Sequence, residues 1–331
     1  MNTLSEAYRH HPLHLHHIIP LDFDSVRTVP DSHAWPTSHA FEPDHGDQSS
    51  IPTVDLMDAD AVKLIRHACE TWGVFHVINH GIPMEMLDEA ESEARRLFSL
   101  PAGQKLTALR SPAGATGYGL ARISPFFNKN MWHEGFTVMG SPIDHARKLD
   151  VIEDYQKKMK ELAITLMHLI LKSLDLSEEE ISKVVSCGGA STALQLNSYP
   201  FCPDPSRVMG LAPHTDTSLL TILYQSTIDG LQIFKNGVGW VLVSPTAGSL
   251  VVNVGDFLHI LSNSQFPNVI HRVRTNKGCP WPYFYSPPVD FHVSPLAMNS
   301  AKIPLYRSVS VREYVDIKAR NLEKALSFIR I

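Results

Sequence analysis

The chain is expected to fold as an α+β protein, in which a helical N-terminal region leads into a β-rich core that ends in a C-terminal helix. Three observations predict this. Residues 58–72, 84–97 and 150–174 carry apolar side chains at helical spacing. From about Thr192, short β-branched and aromatic segments alternate with turns such as Pro203-Asp-Pro, Asp229-Gly and Asn276-Lys-Gly. Residues 300–328 then return to a helical pattern. Short strands at close, even spacing build antiparallel sandwiches or barrels. With 331 residues, 44% of them hydrophobic and 19% charged, the chain is long and apolar enough to bury a full core.

Taken in order, the first 49 residues read as a flexible, His-rich arm, with His10, His11, His14, His16 and His17 in one stretch. Such a tract can bind metal adventitiously, and a solvated tail is the simpler expectation. Ile51–Leu56 alternates like a short strand. The first helix follows, with Ala61, Ile65, Ala68, Cys69 and Trp72 on one face. Gly73–His80 is β-rich and is ended by Gly81-Ile-Pro83. A second helix from Met84 stops before Pro101. The long helix over 150–174 buries Met159, Leu162, Ala163, Leu166, Ile170 and Leu171. A short helix over 176–186 opens on Ser177-Glu-Glu-Glu180, a capping box. Strands are expected at 193–199, 219–225, 231–234, 240–242, 250–254, 269–275 and 283–285. The expected units are residues 1–49 as arm, 50–190 as the mixed N-terminal region, 191–290 as the β core and 291–331 as the C-terminal helical segment.

Charge and composition exclude several function classes. The net charge is −5, from 29 Lys and Arg against 34 Asp and Glu, with no long basic run to suit nucleic acid or an anionic membrane. The four cysteines are scattered and form no Cys-x-x-Cys pair, so neither a zinc cluster nor a disulfide scaffold is indicated. No apolar stretch approaches the ~20 residues that span a bilayer, and the N-terminus lacks a signal-peptide core. A cytoplasmic protein, monomeric and not attached to membrane or nucleic acid, is the expectation.

Chemistry concentrates around Pro213-His214-Thr215-Asp216. On an extended backbone, residues two apart point to one face, so His214 and Asp216 offer an imidazole and a carboxylate side by side. His-x-Asp alone is common in surface loops. His271, at the end of another strand-like run, supplies a third ligand type. Two histidines and one carboxylate form the facial triad of non-haem Fe(II) oxygenases, which leaves positions open for a cosubstrate and dioxygen.

The segments Asn197-Ser-Tyr199-Pro-Phe-Cys-Pro203, His214-Thr-Asp216, Gly230-Leu-Gln-Ile-Phe234, Val252-Asn-Val-Gly-Asp256, His271-Arg-Val273 and Tyr285-Ser-Pro-Pro288 occur in that order. Together with Trp72–Pro83 and Phe98-Ser-Leu-Pro101, this series resembles the plant 2-oxoglutarate/Fe(II)-dependent dioxygenases over about residues 50–325. Within that family, Gly117–Lys129 and Met131-Trp-His-Glu-Gly-Phe-Thr137 resemble the gibberellin 3-beta-dioxygenases. The resemblance implies a double-stranded β-helix (jelly-roll) core. It also implies Fe(II) on His214, Asp216 and His271, 2-oxoglutarate and O2 as cosubstrates, and ascorbate as reductant. The implied reaction is 3β-hydroxylation of a gibberellin precursor in gibberellin biosynthesis. Tyr199 resembles the tyrosine that meets the distal carboxylate of 2-oxoglutarate, and Asn197, on the same strand face, lines the site. A gibberellin is a rigid apolar skeleton with a carboxylate, so its pocket needs an apolar wall and a cation. Phe126, Phe127, Met131 and Trp132 are wall candidates, and Arg122 and Lys129 are cation candidates.

Two departures from the family pattern stand out. The family binds the distal carboxylate with an Arg-x-Ser about ten residues after the second histidine, whereas this chain has Pro280-Trp281-Pro282 there. Arg272 and Arg274 are odd offsets from His271, so a continuous strand aims them at the opposite face. The chain also lacks about nine residues after Arg147-Lys-Leu149. A catalytically impaired homologue, or an oxygenase of another plant metabolite, is the alternative that these departures raise.

Overall fold

The computed structural model describes residues 20–36, 50–111, 114, 116–139, 150–185, 189–226, 229–275, 281–296 and 303–331. The chain begins with β1 (Thr53–Asp55), α1 (Ala61–Thr71), β2 (Val74–Ile78), α2 (Met84–Phe98), α3 (Ala102–Thr107), β3 (Gly117–Gly119) and β4 (Glu134–Met139). There follow α4 (Asp150–Lys172), α5 (Glu178–Val185), β5 (Ser191–Ser198), β6 (Leu211–His214), β7 (Leu220–Tyr224), β8 (Leu231–Lys235), β9 (Gly239–Leu242) and β10 (Leu250–Val254). The last elements are α6 (Asp256–Leu261), β11 (His271–Val273), β12 (Trp281–Ser286), β13 (His292–Val293), β14 (Val309–Ser310) and α7 (Val311–Asn321), with a 3-10 segment over Leu322–Phe328.

Local chemistry explains the helix ends. The backbone N–H of Gly73 closes α1 on the carbonyls of Ala68 and Cys69 at 3.1 and 3.2 Å. Gly73 has φ +68, and a Cβ there would sit 2.3 Å from the Pro267 carbonyl oxygen, so both conformation and space require glycine. At α5, the Ser177 and Glu180 side chains exchange bonds with each other's backbone N–H, the reciprocal cap read from the sequence.

An eight-stranded sheet runs β1-β2-β10-β7-β12-β5-β4-β3, and a four-stranded sheet runs β6-β11-β8-β9. Apart from the parallel β1–β2 pair, the pairings are antiparallel. Both faces of the large sheet are covered. Leu220, Ile222 and Tyr224 of β7, and Trp281, Tyr283 and Tyr285 of β12, pack toward α4 and its neighbours. The alternate positions face inward. Leu223 of β7 and Val251 of β10 meet Leu231, Ile233, Val241 and Val273 of the small sheet. Toward one end this inner face turns polar, at Thr221 and Asn253 of the same two strands. Strands apolar on both faces read as continuous runs, and the break in the run marks where the interior opens.

Three expectations change. Residues 20–36 belong to the packed body rather than to a loose arm: Leu21, Phe23, Val26 and Val29 pack with Trp132, Cys202 and Val208. Residues 1–19 and 37–49 lie outside the described residues, as do 140–149 and 276–280; of Pro280-Trp281-Pro282, Trp281 and Pro282 are described and open β12. Second, 117–119 and 134–139 form strands β3 and β4 at the sheet edge. Third, the C-terminal helix is shorter than 300–328, because α7 starts at Val311 and is capped by Ser310. Pro282 is accommodated in β12 because the ladder to β5 starts only at Tyr283. No helix among the described residues is long and apolar enough to cross a membrane.

Candidate active site

The polar end of the sandwich gathers the two histidines and the acid. His271 opens β11 and lies directly across the ladder from His214, the last residue of β6, with ring centroids 4.3 Å apart. The Nδ1 atoms of His214 and His271 lie 2.8 and 3.2 Å from the carbonyls of Ala212 and Val269. Donation of N–H to these carbonyls leaves both Nε2 atoms as bare lone pairs, the tautomer that ligates a metal. Asp216 Oδ1 is 3.7 Å from each Nε2. The three side chains are buried, and one ligand atom of each falls within 4.8 Å of the others. Asp216 Oδ2 is buried with no hydrogen-bond partner. A buried carboxylate oxygen facing two imidazole lone pairs is a costly arrangement that a divalent cation satisfies, so this donor set fits Fe(II).

Electrostatics agree. Burial pushes the His214 pKa down to about 4, helped by His271 and opposed by Asp216. Burial pushes Asp216 up, but the charges of His271 and His214, the Thr221 hydroxyl and the charge of Lys318 together outweigh it and hold the carboxyl below its usual range. Both directions favour the metal-ready forms.

Strand β6 ends at His214, and Asp216 lies on the loop beyond. That loop is fixed from outside. The Asp216 carbonyl accepts the Asp256 N–H at 2.8 Å. A Cβ at Gly255 would lie 2.0 Å from the Ser218 carbonyl oxygen, so the Val-Gly-Asp turn must carry glycine to press this closely. From α7, Lys318 Nζ reaches Thr215 Oγ1 at 2.5 Å and Asp256 Oδ2 at 2.6 Å. Tyr314 and Asn268 complete the bonding of Asp256, at 2.9 and 2.6 Å.

A cavity of about 480 Å³ opens over the triad. Tyr199 and Asn197 line it. Asn197 Oδ1 accepts from His133 Nε2 at 2.8 Å and from Gln195 Nε2 at 3.0 Å. His133, Thr137 and Gln195 also line the cavity and are absent from the sequence-derived set. The period-2 row Gln195, Asn197, Tyr199 was the available signal. Arg122 and Phe126 are in the wall. Phe127, Lys129 and Trp132 are not: Phe127 packs on Trp35, Lys129 holds the Asp31 carbonyl at 2.6 Å, and Trp132 is buried against residues 20–36. Met131 is buried beside Met209 and Ala212. Their apolar and cationic character serves the docked N-terminal segment instead. Arg272 faces away from the cavity, as parity predicts, stacking on Trp240 at 4.0 Å. Arg274, however, lines the cavity, because β11 ends at Val273 and alternation lapses there.

Buried neutral histidines make the protein acid-sensitive. Burial lowers the pKa of both His33 and His133 from 6.5 to about 4. The unfolded chain takes up these protons first, so stability is complete above pH ~6.5 and declines toward pH ~4. Each histidine contributes on the order of 3 kcal/mol to that decline. Urea midpoints measured across this range should fall with pH, and His33→Leu should reduce the slope by about one proton.

Comparisons with known proteins agree with this geometry. The 2OG-Fe(II) oxygenase superfamily matches residues 190–287, and the N-terminal region of the non-haem dioxygenase in morphine synthesis matches residues 51–158. Gibberellin 3-beta-dioxygenase 1 of Pisum sativum is 48% identical over 100% of this chain and 94% of its own length. Gibberellin 3-beta-dioxygenase 1 of Arabidopsis thaliana is 46% identical over 99% of this chain and 98% of its own. The crystal structure of JOX2 in complex with 2OG, Fe and JA superposes with a TM-score of 0.78 at 29% identity, covering 88% of this chain and 89% of that one. A dioxygenase for auxin oxidation from rice shares the fold, with a TM-score of 0.72 at 24% identity over 85% of this chain and all of its own.

Proposed function

Because this chain belongs to the 2OG-Fe(II) oxygenase superfamily, we propose that it hydroxylates a gibberellin precursor at the 3β position, with Fe(II) on His214, Asp216 and His271. The observation that carries the substrate class is the full-length likeness to gibberellin 3-beta-dioxygenases of two plants. On the same reading the protein works as a cytoplasmic monomer on a small molecule and O2.

Each part of the site has a task. The Ala212 and Val269 carbonyls fix the imidazole orientation, and the Asp256 N–H and Lys318 hold the loop that carries Asp216. Tyr199 and Asn197 line the space for 2-oxoglutarate. Ile123, Pro125, Phe126, Leu211 and Met139 supply an apolar wall that excludes water around a hydrophobic skeleton. When bound, iron supplies the oxidation that couples decarboxylation of 2-oxoglutarate to hydroxylation of the substrate. Arg274 places one cation on the cavity wall of a chain that has no Arg-x-Ser after its second triad histidine, His271. A lost bidentate partner costs about 2–5 kcal/mol, so 2-oxoglutarate should half-saturate at unusually high concentration.

The test is succinate release with Fe(II), ascorbate and O2, together with mass spectrometry of the gibberellin product. Succinate and a product carrying one added hydroxyl at C3 are expected. No succinate with any gibberellin, even at millimolar 2-oxoglutarate, would leave a catalytically silent homologue.

A further inference from the structure

His133 touches both residues that line the space for 2-oxoglutarate. It stands just before β4, is buried and lines the cavity. Its Nε2 lies 2.8 Å from Asn197 Oδ1, and its ring packs on that of Tyr199 with centroids 5.5 Å apart. One backbone carbonyl fixes the polarity of the whole cluster. The Leu196 carbonyl only accepts, so the Gln195 atom 3.2 Å from it is the donor Nε2. The Thr137 hydroxyl then donates to Gln195 Oε1 at 2.5 Å. Gln195 Nε2 also donates to Asn197 at 3.0 Å, which makes the receiving atom Oδ1. His133 must therefore donate from Nε2. Burial lowers its pKa to about 4, so the ring carries one proton at neutral pH, and Nδ1 has no hydrogen-bond partner to hold it. Gly135, opposite Asn197 in the ladder, makes the room: a Cβ there would sit 2.4 Å from Gln195 Nε2 and 3.0 Å from His133 Cε1.

Two donors on Oδ1 hold the Asn197 amide in one orientation. Reversing it would set its NH2 against two N–H groups and lose both bonds. The Nδ2 end is what remains, and among the described residues it donates to no protein acceptor. An N–H donor suits the oxygens of a carboxylate, whereas the reversed amide would meet them with another acceptor. We propose that His133 is a positioning residue for the cosubstrate: with Gln195 it holds Asn197 with Nδ2 turned to the cavity, where it donates to a carboxylate oxygen of 2-oxoglutarate. A fixed donor carries more of the binding in a chain with no Arg-x-Ser after His271. This rests on the oxygenase reading and adds what sets the direction of the Asn197 amide.

The test is 2-oxoglutarate binding, measured by anaerobic calorimetry on the full chain loaded with Fe(II). His133→Phe keeps a ring beside Tyr199 and removes the donor, and it should bind 2-oxoglutarate at least roughly 10-fold more weakly than the wild type. His133→Gln sets an amide N–H where Nε2 stands and should restore binding to within about threefold. A role in packing alone predicts the opposite order, because phenylalanine is the better replacement for a buried ring. Where His133→Phe does not fold, His133→Asn, polar but too short to reach Asn197, takes its place and should bind as weakly. Wild-type affinity in His133→Phe or His133→Asn, or a His133→Gln no tighter than these, overturns the assignment and leaves the oxygenase reading standing. No binding of 2-oxoglutarate by the iron-loaded wild type overturns the cosubstrate reading and this assignment with it.

Discussion

Asp216→Asn is expected to abolish tight Fe(II) binding and to lower succinate formation at least roughly a thousandfold. The substitution keeps the side-chain shape and removes the only anionic ligand of the triad. A metal centre contributes several kcal/mol, and about 4 kcal/mol corresponds to three decades in rate. The effect on the metal-free protein should have the opposite sign. Asp216 is buried, and its Oδ2 lacks a hydrogen-bond partner. Neutralising it removes a desolvated charge, so the metal-free melting temperature should hold steady or rise. Thermal melts with and without Fe(II) separate the two effects. Wild type should gain stability with metal, and the variant should gain none. A variant that retains metal stabilisation would show that the ion binds elsewhere.

Lys318→Met is expected to destabilise the fold by about 3–5 kcal/mol, because it strands the Asp256 carboxylate without its cation. Asp256 is fully buried, and Lys318 is nearly so. The ion pair itself need not be stabilising, since desolvation offsets most of the attraction. The double variant Lys318→Met/Asp256→Asn should therefore recover much of the loss, which urea unfolding of the three variants would measure. Iron affinity should not recover in parallel. Lys318 also pins Thr215, between two of the ligands, and that bond is missing from both variants. Loss of such a supporting contact typically weakens metal binding 10–100-fold. Full recovery of both properties would show that Lys318 serves folding alone.

Much of this architecture was legible in the sequence because it is written locally. Helices α1, α2 and α4 follow from apolar spacing, and the start of α5 follows from Ser177 and Glu180. Strands β5 and β7 to β12 follow from β-rich runs between turns, whereas β6 was not among the expected strands. Strand β4 was harder. Its residues, Glu134–Met139, include Gly135, whose Cβ would meet Gln195 at 2.4 Å, and Glu134, which is buried only because Lys105 and Tyr118 bond it. A glycine and a glutamate are poor strand signals, and tertiary contacts override them.

By itself the sequence determined the two imidazoles and the acid as a ligand set, the β setting of His214 and His271, and the inward row that holds Asn197 and Tyr199, whereas Asp216 sits on the loop past β6. Side-chain direction along a strand has period 2, so facing is encoded in neighbours a few residues apart. The tertiary structure decided what depends on distant pairs and on where a strand stops. It carried Lys318 to Asp256 and Thr215 and docked residues 20–36 on Trp132. It also turned Arg274 into the cavity once β11 had ended. No local periodicity specifies such contacts, because they form only when packing of the two sheets and their flanking helices fixes which surfaces meet.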